Sequence, residues 1–67
     1  MTLGQRIQQL RLERKLTLRE FAFKSGIAQA SLSRIENNKA SSNVKTLVKI
    51  AKAFDMDLKE LISAVEF

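Results

Sequence analysis

Three times in 67 residues a short polar side chain stands three places before a glutamine or glutamate at the head of an apolar stretch: Thr2 with Gln5, Thr17 with Glu20, and Asp57 with Glu60. In such a capping box the first side chain accepts an N3 amide proton and the N3 side chain accepts one back, so each pair marks a helix start. A chain punctuated this often is an array of short helices. The apolar spacing agrees. A first helix is predicted over about Leu3 to Lys15, with Leu3, Ile7 and Leu10 facing inward. A second follows Thr17, carries Leu18, Phe21 and Ala22 on its inner face and stops near Gly26. A third, over about residues 29–37, has Leu32 and Ile35 to bury. A fourth starts after Asn43 and carries Val44, Leu47, Val48, Ile50, Ala51 and Phe54. The fifth follows Asp57, with Leu58, Leu61, Ile62 and Val65 at i, i+3, i+4 and i+7. Proline is absent and no alternating apolar run persists. The fold class is therefore all-α, five helices joined by short loops, and 67 residues leave room for one domain only.

Gly26 is the joint that gives these helices a purpose. The second and third helices are separated by so few residues that the chain between them needs positive φ, which glycine adopts most easily. Ala22, four residues earlier, lets the helices approach; Ile27 plugs the turn; Leu32 and Ile35 close the angle from the other side. These are the geometric requirements of a helix-turn-helix, whose second helix projects outward to enter a major groove.

Composition narrows the chemistry. Cysteine and histidine are both absent, which removes disulfides, the usual zinc ligands and the commonest general base. No phosphate loop or paired-carboxylate motif replaces them, so neither an enzyme nor a cofactor or metal site is expected. No apolar run nears the roughly 20 residues that cross a bilayer, and no signal peptide is apparent. A soluble cytoplasmic protein without membrane contact is the expectation. Charge is uneven: residues 1–54 hold eleven of the twelve basic groups against three acids, a net +8, whereas residues 55–67 hold Lys59 against four acids, a net −3. A basic body suggests a polyanion partner, and an acidic end suggests a different role for that end.

The stretches "RLERKLT", "GIAQASLSRIENNK" and "TLVKIAKAF" resemble the lambda-repressor/Cro-like helix-turn-helix family, also called the XRE family, across nearly the whole chain. Bare domains of this length also resemble restriction-modification controller proteins and small phage repressors. The resemblance implies sequence-specific binding of double-stranded DNA, usually by a dimer on a two-fold-related operator. It implies base readout from the outward face of the third helix. There Gln29 suits adenine N6 and N7, Ala30 a thymine methyl, Arg34 guanine O6 and N7, and Ser33 allows close approach. Candidate phosphate ligands flank that helix: Arg19, Ser31, Asn37, Lys39, Ser41 and Ser42. Lys45 and Lys49 add long-range attraction. The family also sets Arg11 against Glu36, a structural pair that fixes the third helix rather than binding DNA.

Two departures from the family pattern stand out. Leu18 replaces the usual glutamine and forfeits its phosphate contact. Asn38 replaces the usual glycine that ends the third helix, where asparagine is the next most tolerant of the left-handed conformation. Phe23 lies on the outward face of the second helix, and the expectation is that it leans over Lys24 and the core edge. The apolar stripe of the fifth helix exceeds what the core needs. Residues 57–67 are therefore read as a dimerisation helix and tail, with Leu61, Ile62, Val65 and Phe67 at the homodimer interface. The alternative function is a protein-interaction module, such as an antitoxin or coactivator domain, favoured by Phe23 and by the apolar end Val65 and Phe67.

Overall fold

The computed structural model describes residues 1–66, which form five helices: α1 (Leu3–Glu13), α2 (Leu18–Ser25), α3 (Gln29–Glu36), α4 (Val44–Ala53) and α5 (Leu58–Ile62). The helix starts follow the caps. Thr2 and Thr17 complete both arms of their boxes with Gln5 and Glu20, at 2.9 to 3.2 Å. Asn43 caps α4 by accepting from the Thr46 N–H at 2.8 Å. Asp57 makes only the forward arm, accepting from the Glu60 N–H at 2.8 Å; the return arm expected from Glu60 is not formed.

The helix ends differ more from expectation. α1 stops at Glu13 rather than Lys15, because Lys15 turns into the left-handed region at φ 55°. The Leu16 N–H then reaches back to the Arg11 carbonyl and the Lys15 N–H to that of Leu12, the paired bonds of a Schellman motif. α3 closes in the same way through Asn38 at φ 59°, and α4 through Asp55 at φ 56°. α5 ends at Ile62 and does not run through Val65. Beyond Ile62 the bonds tighten to three-residue spacing, from Ser63 N–H to Glu60 and from Val65 N–H to Ile62.

Packing is set by Phe21 of α2 and Phe54 after α4, whose rings stack with centroids 4.8 Å apart. Such a pair contributes about 0.5 to 1.5 kcal/mol beyond its buried area. Ile7, Leu10, Leu32, Ile50 and Leu61 complete the core from the other helices. α1 packs on α3 and α5, α2 on α3 and α4, and α4 on α5. Arg14 lies over the outer edge of this core, its guanidinium 5.1 Å from the Phe54 ring centre and bonded to the Phe54 carbonyl at 3.0 Å. Arg6 donates to the Leu61 and Glu60 carbonyls at 3.0 and 3.1 Å, a cation capping the C-terminal end of α5.

Candidate nucleic-acid interface

Gly26 closes α2 at φ 70°, ψ 22°, its N–H bonded to the Ala22 carbonyl at 2.9 Å. A Cβ there would meet nothing within 4 Å, so the requirement for glycine is conformational and not steric. Ser25, buried and unmentioned by any pattern in the sequence, tightens the same turn: its Oγ accepts from the Ile27 N–H at 3.3 Å. The chain then enters α3 with Ala28 at the cap position. Thr, Asn or Asp caps the other four described helices, but α3 has no side-chain cap, which leaves its first N–H donors to other acceptors. The alanine at that position was the available signal.

Two contacts fix the opposite end of α3. The Arg11 guanidinium grips Glu36 with both nitrogens, Nε to Oε2 at 2.8 Å and Nη2 to Oε1 at 3.1 Å, while Nη1 bonds the Leu16 carbonyl at 2.9 Å. The side chains retain 12 % and 4 % exposure. A bidentate pair this deeply buried sets an angle more than it adds net stability, and removing one partner leaves an uncompensated charge worth about 3 to 5 kcal/mol. The second contact is invisible to periodicity. Gly4 of α1 lies so close to α3 that a Cβ would stand 2.5 Å from the Ile35 and Glu36 carbonyl oxygens. Asn38 bridges the two helices, accepting from the Gly4 N–H at 3.2 Å and donating to Thr2 Oγ1 at 3.0 Å. The asparagine amide thus adds a link that a glycine at this turn would lack.

With Leu32 and Ile35 buried beneath it, α3 presents Gln29, Ala30 and Arg34 to solvent and Ser33 half-buried between them. Arg19, Ser31, Asn37, Lys39 and Ser41 are exposed around it, and the Asn37 amide donates to the Ser33 carbonyl at 2.8 Å. Ser42 is a correction. Its Oγ is buried without a partner beside a cleft of about 270 Å³ lined by Ser31, Arg34 and Thr46, so it does not face outward as a phosphate ligand must. The basic excess is also smaller than the sequence count. Arg6, Arg11 and Arg14 are spent on carbonyls and on Glu36, which leaves Lys15, Arg19, Lys24, Arg34, Lys39, Lys45, Lys49 and Lys52 as exposed cations of residues 1–54.

Three expectations about apolar residues change. Phe23 does not lean over the core edge but stands 90 % exposed. Leu61 is fully buried in the core of one copy and is not free for an interface, whereas Ile62 is half-buried against that core. Val65 lies past the end of the helix that was to carry it, and Phe67 lies outside the described residues.

Comparison with known proteins agrees with this geometry. The family profile described as "Helix-turn-helix" matches residues 7–61. The chain is 37 % identical over 62 residues to the HTH-type transcriptional regulator RghRB of Bacillus subtilis, itself uncharacterised, covering 91 % of this chain and 45 % of that one. It superposes with a TM-score of 0.85 and 35 % identity on SinR, a master regulator for biofilm formation, in a crystal structure with DNA; 91 % of this chain and 98 % of that one are covered. The controller protein C.AhdI of Aeromonas hydrophila superposes with a TM-score of 0.85 at 29 % identity, covering 88 % and 89 %. The chain spans 34 to 56 % of the length of its curated sequence relatives.

Proposed function

Since the chain belongs to the helix-turn-helix family, we propose that it is a transcriptional regulator that binds duplex DNA sequence-specifically, as a homodimer on a two-fold-related operator. One observation carries the reading: α3 follows directly on the tight Gly26 turn and is fixed at its C-terminal end by the Arg11–Glu36 pair, yet it leaves Gln29, Ala30 and Arg34 uncovered, a polar face that no part of the described chain occupies. Seated in a major groove, Gln29 and Arg34 read adenine and guanine edges, Ala30 packs on a thymine methyl, and Ser33 lets the helix approach closely. Arg19, Ser31, Asn37, Lys39 and Ser41 hold the flanking phosphates. SinR, on which the chain superposes, has been crystallised in complex with DNA, which supports DNA as the ligand. No enzymatic role is assigned, since the relatives are named as regulators. No described helix is long and apolar enough to cross a membrane, and the protein's working place is the cytoplasm, on the nucleoid.

The test is selection of bound sequences from a randomised duplex, followed by titration of the selected site at rising salt. Binding should prefer one sequence, and log K should fall linearly with log salt, with a slope of several units for several phosphate contacts. Equal affinity for all sequences, or a flat salt response, would refute it. Phe23, 90 % exposed on α2, favours a second reading as a protein-interaction module; in that case Phe23→Ser abolishes partner binding and leaves the DNA titration unchanged.

A further inference from the structure

Asn38 ends α3, yet its side chain serves the start of α1. A helix leaves its first N–H donors without partners of its own. In α1 the Gln5 N–H goes to Thr2 Oγ1 at 3.2 Å and the Arg6 N–H to the Thr2 carbonyl at 2.9 Å, while the Gly4 N–H is met from 34 residues away by Asn38 Oδ1 at 3.2 Å. The same amide donates through Nδ2 to Thr2 Oγ1 at 3.0 Å. The backbone of Asn38 acts in the other direction. At φ 59° it folds the chain back, so that the Lys39 N–H bonds the Arg34 carbonyl at 2.8 Å and the Asn38 N–H that of Ile35 at 3.1 Å. One residue thus ties the backbone of Arg34 to that of Lys39, and its amide anchors both to α1.

We infer that Asn38 is a positioning residue for sequence discrimination: it holds the base-reading Arg34 and the phosphate-holding Lys39 at one fixed offset from each other and from α1. The inference rests on the DNA-binding reading, which assigns those two side chains their roles. The turn alone does not supply the anchor. A glycine reaches the same left-handed φ more easily, but a turn tied only by its own backbone bonds leaves the end of α3 free to shift against α1. The Arg11–Glu36 pair grips α3 just before the turn. The Asn38 amide grips the chain within it, and Gly4 lets α1 come close enough for that amide to reach. Two such points, both made by groups outside α3, keep its side chains within the roughly 0.5 Å that a functional site requires.

Asn38→Gly keeps the turn and removes the amide. In competition binding, discrimination at the base pair where Arg34→Ala relaxes preference should fall about tenfold, a large part of what one bidentate base contact supplies. Affinity for unrelated duplexes and the salt slope should stay as in the wild type. Thr2→Gly, a cap change of small cost in stability, removes the Nδ2 acceptor and should cause a smaller loss of the same kind, although Thr2 is outside the residues assigned to DNA. Thr2→Ser keeps the hydroxyl and should discriminate as the wild type does. The double variant Asn38→Gly, Thr2→Gly should lose no more than Asn38→Gly alone, because both cut one link. Wild-type discrimination in Asn38→Gly, a uniform loss on every sequence, no base pair relaxed by Arg34→Ala, a Thr2→Ser protein as poor as Thr2→Gly, or losses that multiply in the double variant each overturns the assignment. Amide exchange at Gly4 without DNA reads the link by itself: it should quicken in Asn38→Gly, and an unchanged rate also overturns the assignment. A wild type that binds all duplexes alike, with Gly4 exchange quickened in Asn38→Gly, would sink the DNA-binding reading and the positioning role with it, and leave only the bond between the helices.

Discussion

The two glycines of the chain are held for opposite reasons, and that difference is measurable. Gly26 has open space around its missing Cβ and a left-handed backbone, so Gly26→Ala meets only the conformational penalty of about 1 to 2 kcal/mol. Gly4 is helical, where alanine is intrinsically better by about 1 kcal/mol, but its Cβ would drive into the backbone of α3 at 2.5 Å. Overpacking against backbone costs roughly 1 to 3 kcal/mol or more and would push α1 away from α3. We expect Gly4→Ala to lower the melting temperature despite its helix propensity, and to weaken DNA binding as α3 tilts; a Gly4→Ala protein more stable than wild type would show that the close approach is misjudged. Glu20 offers a second test. The Thr17 backbone N–H and then its hydroxyl, bonded to the Glu20 carboxylate, hold that group below its ordinary pKa of 4.5. A depressed carboxylate adds stability above its unfolded pKa and loses it as pH falls through the folded value. Glu20→Gln keeps an acceptor for Thr17 but cannot titrate. The melting-temperature gap between wild type and Glu20→Gln should therefore be present at neutral pH and shrink as pH falls below 4.5. A gap independent of pH would remove the carboxylate from the cap.

At the scale of elements, what the sequence made legible was local and what it hid was tertiary. The capping boxes at Thr2 and Thr17 and the left-handed Gly26 follow from neighbouring residues alone, and they appear in the structure as read. Gly26 and Asn38 announce the left-handed turns that close α2 and α3, but Lys15 and Asp55 carry no such mark, and α1 ends two residues before the predicted Lys15. Arg6 and Arg14 look like surface cations until the fold brings carbonyls 55 and 40 residues away to them. The apolar stripe of the last helix looks like surplus in the sequence because a stripe does not disclose which member the core takes, and the core takes Leu61. For α3 the face was legible but the division of labour on it was not. If Arg34 reads a base, Arg34→Ala should cost about 1 to 3 kcal/mol and relax preference at one base pair of each half-site. If Lys39 holds a phosphate, Lys39→Ala should weaken all sequences alike and lower the salt slope by about 1. Competition binding on a randomised operator separates the two, and uniform loss from Arg34→Ala would move it to the phosphate class.

At the scale of the whole molecule, size limits how two copies can sit on DNA. The body measures 27 × 24 × 22 Å, so two copies in contact have centres closer together than the ~34 Å between successive major-groove faces on one side of a duplex. Each α3 must then lie on the side of its body away from the two-fold axis. The connections between helices are three to seven residues long, so the span between the two α3 helices of such a dimer has little room to vary. Operator half-sites should therefore be about 10 to 10.5 base pairs apart, centre to centre. Inserting about 5 base pairs between them rotates the second half-site to the far side of the duplex, where the second α3 cannot reach, and binding should fall to that of a single half-site, about 10²-fold or more weaker. Inserting a full turn restores the facing but doubles the span, so a rigid dimer gains nothing from it. Gel-shift titration of the three operators reads this pattern, and equal binding to the half-turn insert would mean that the copies bind independently or through a longer tether than this body provides.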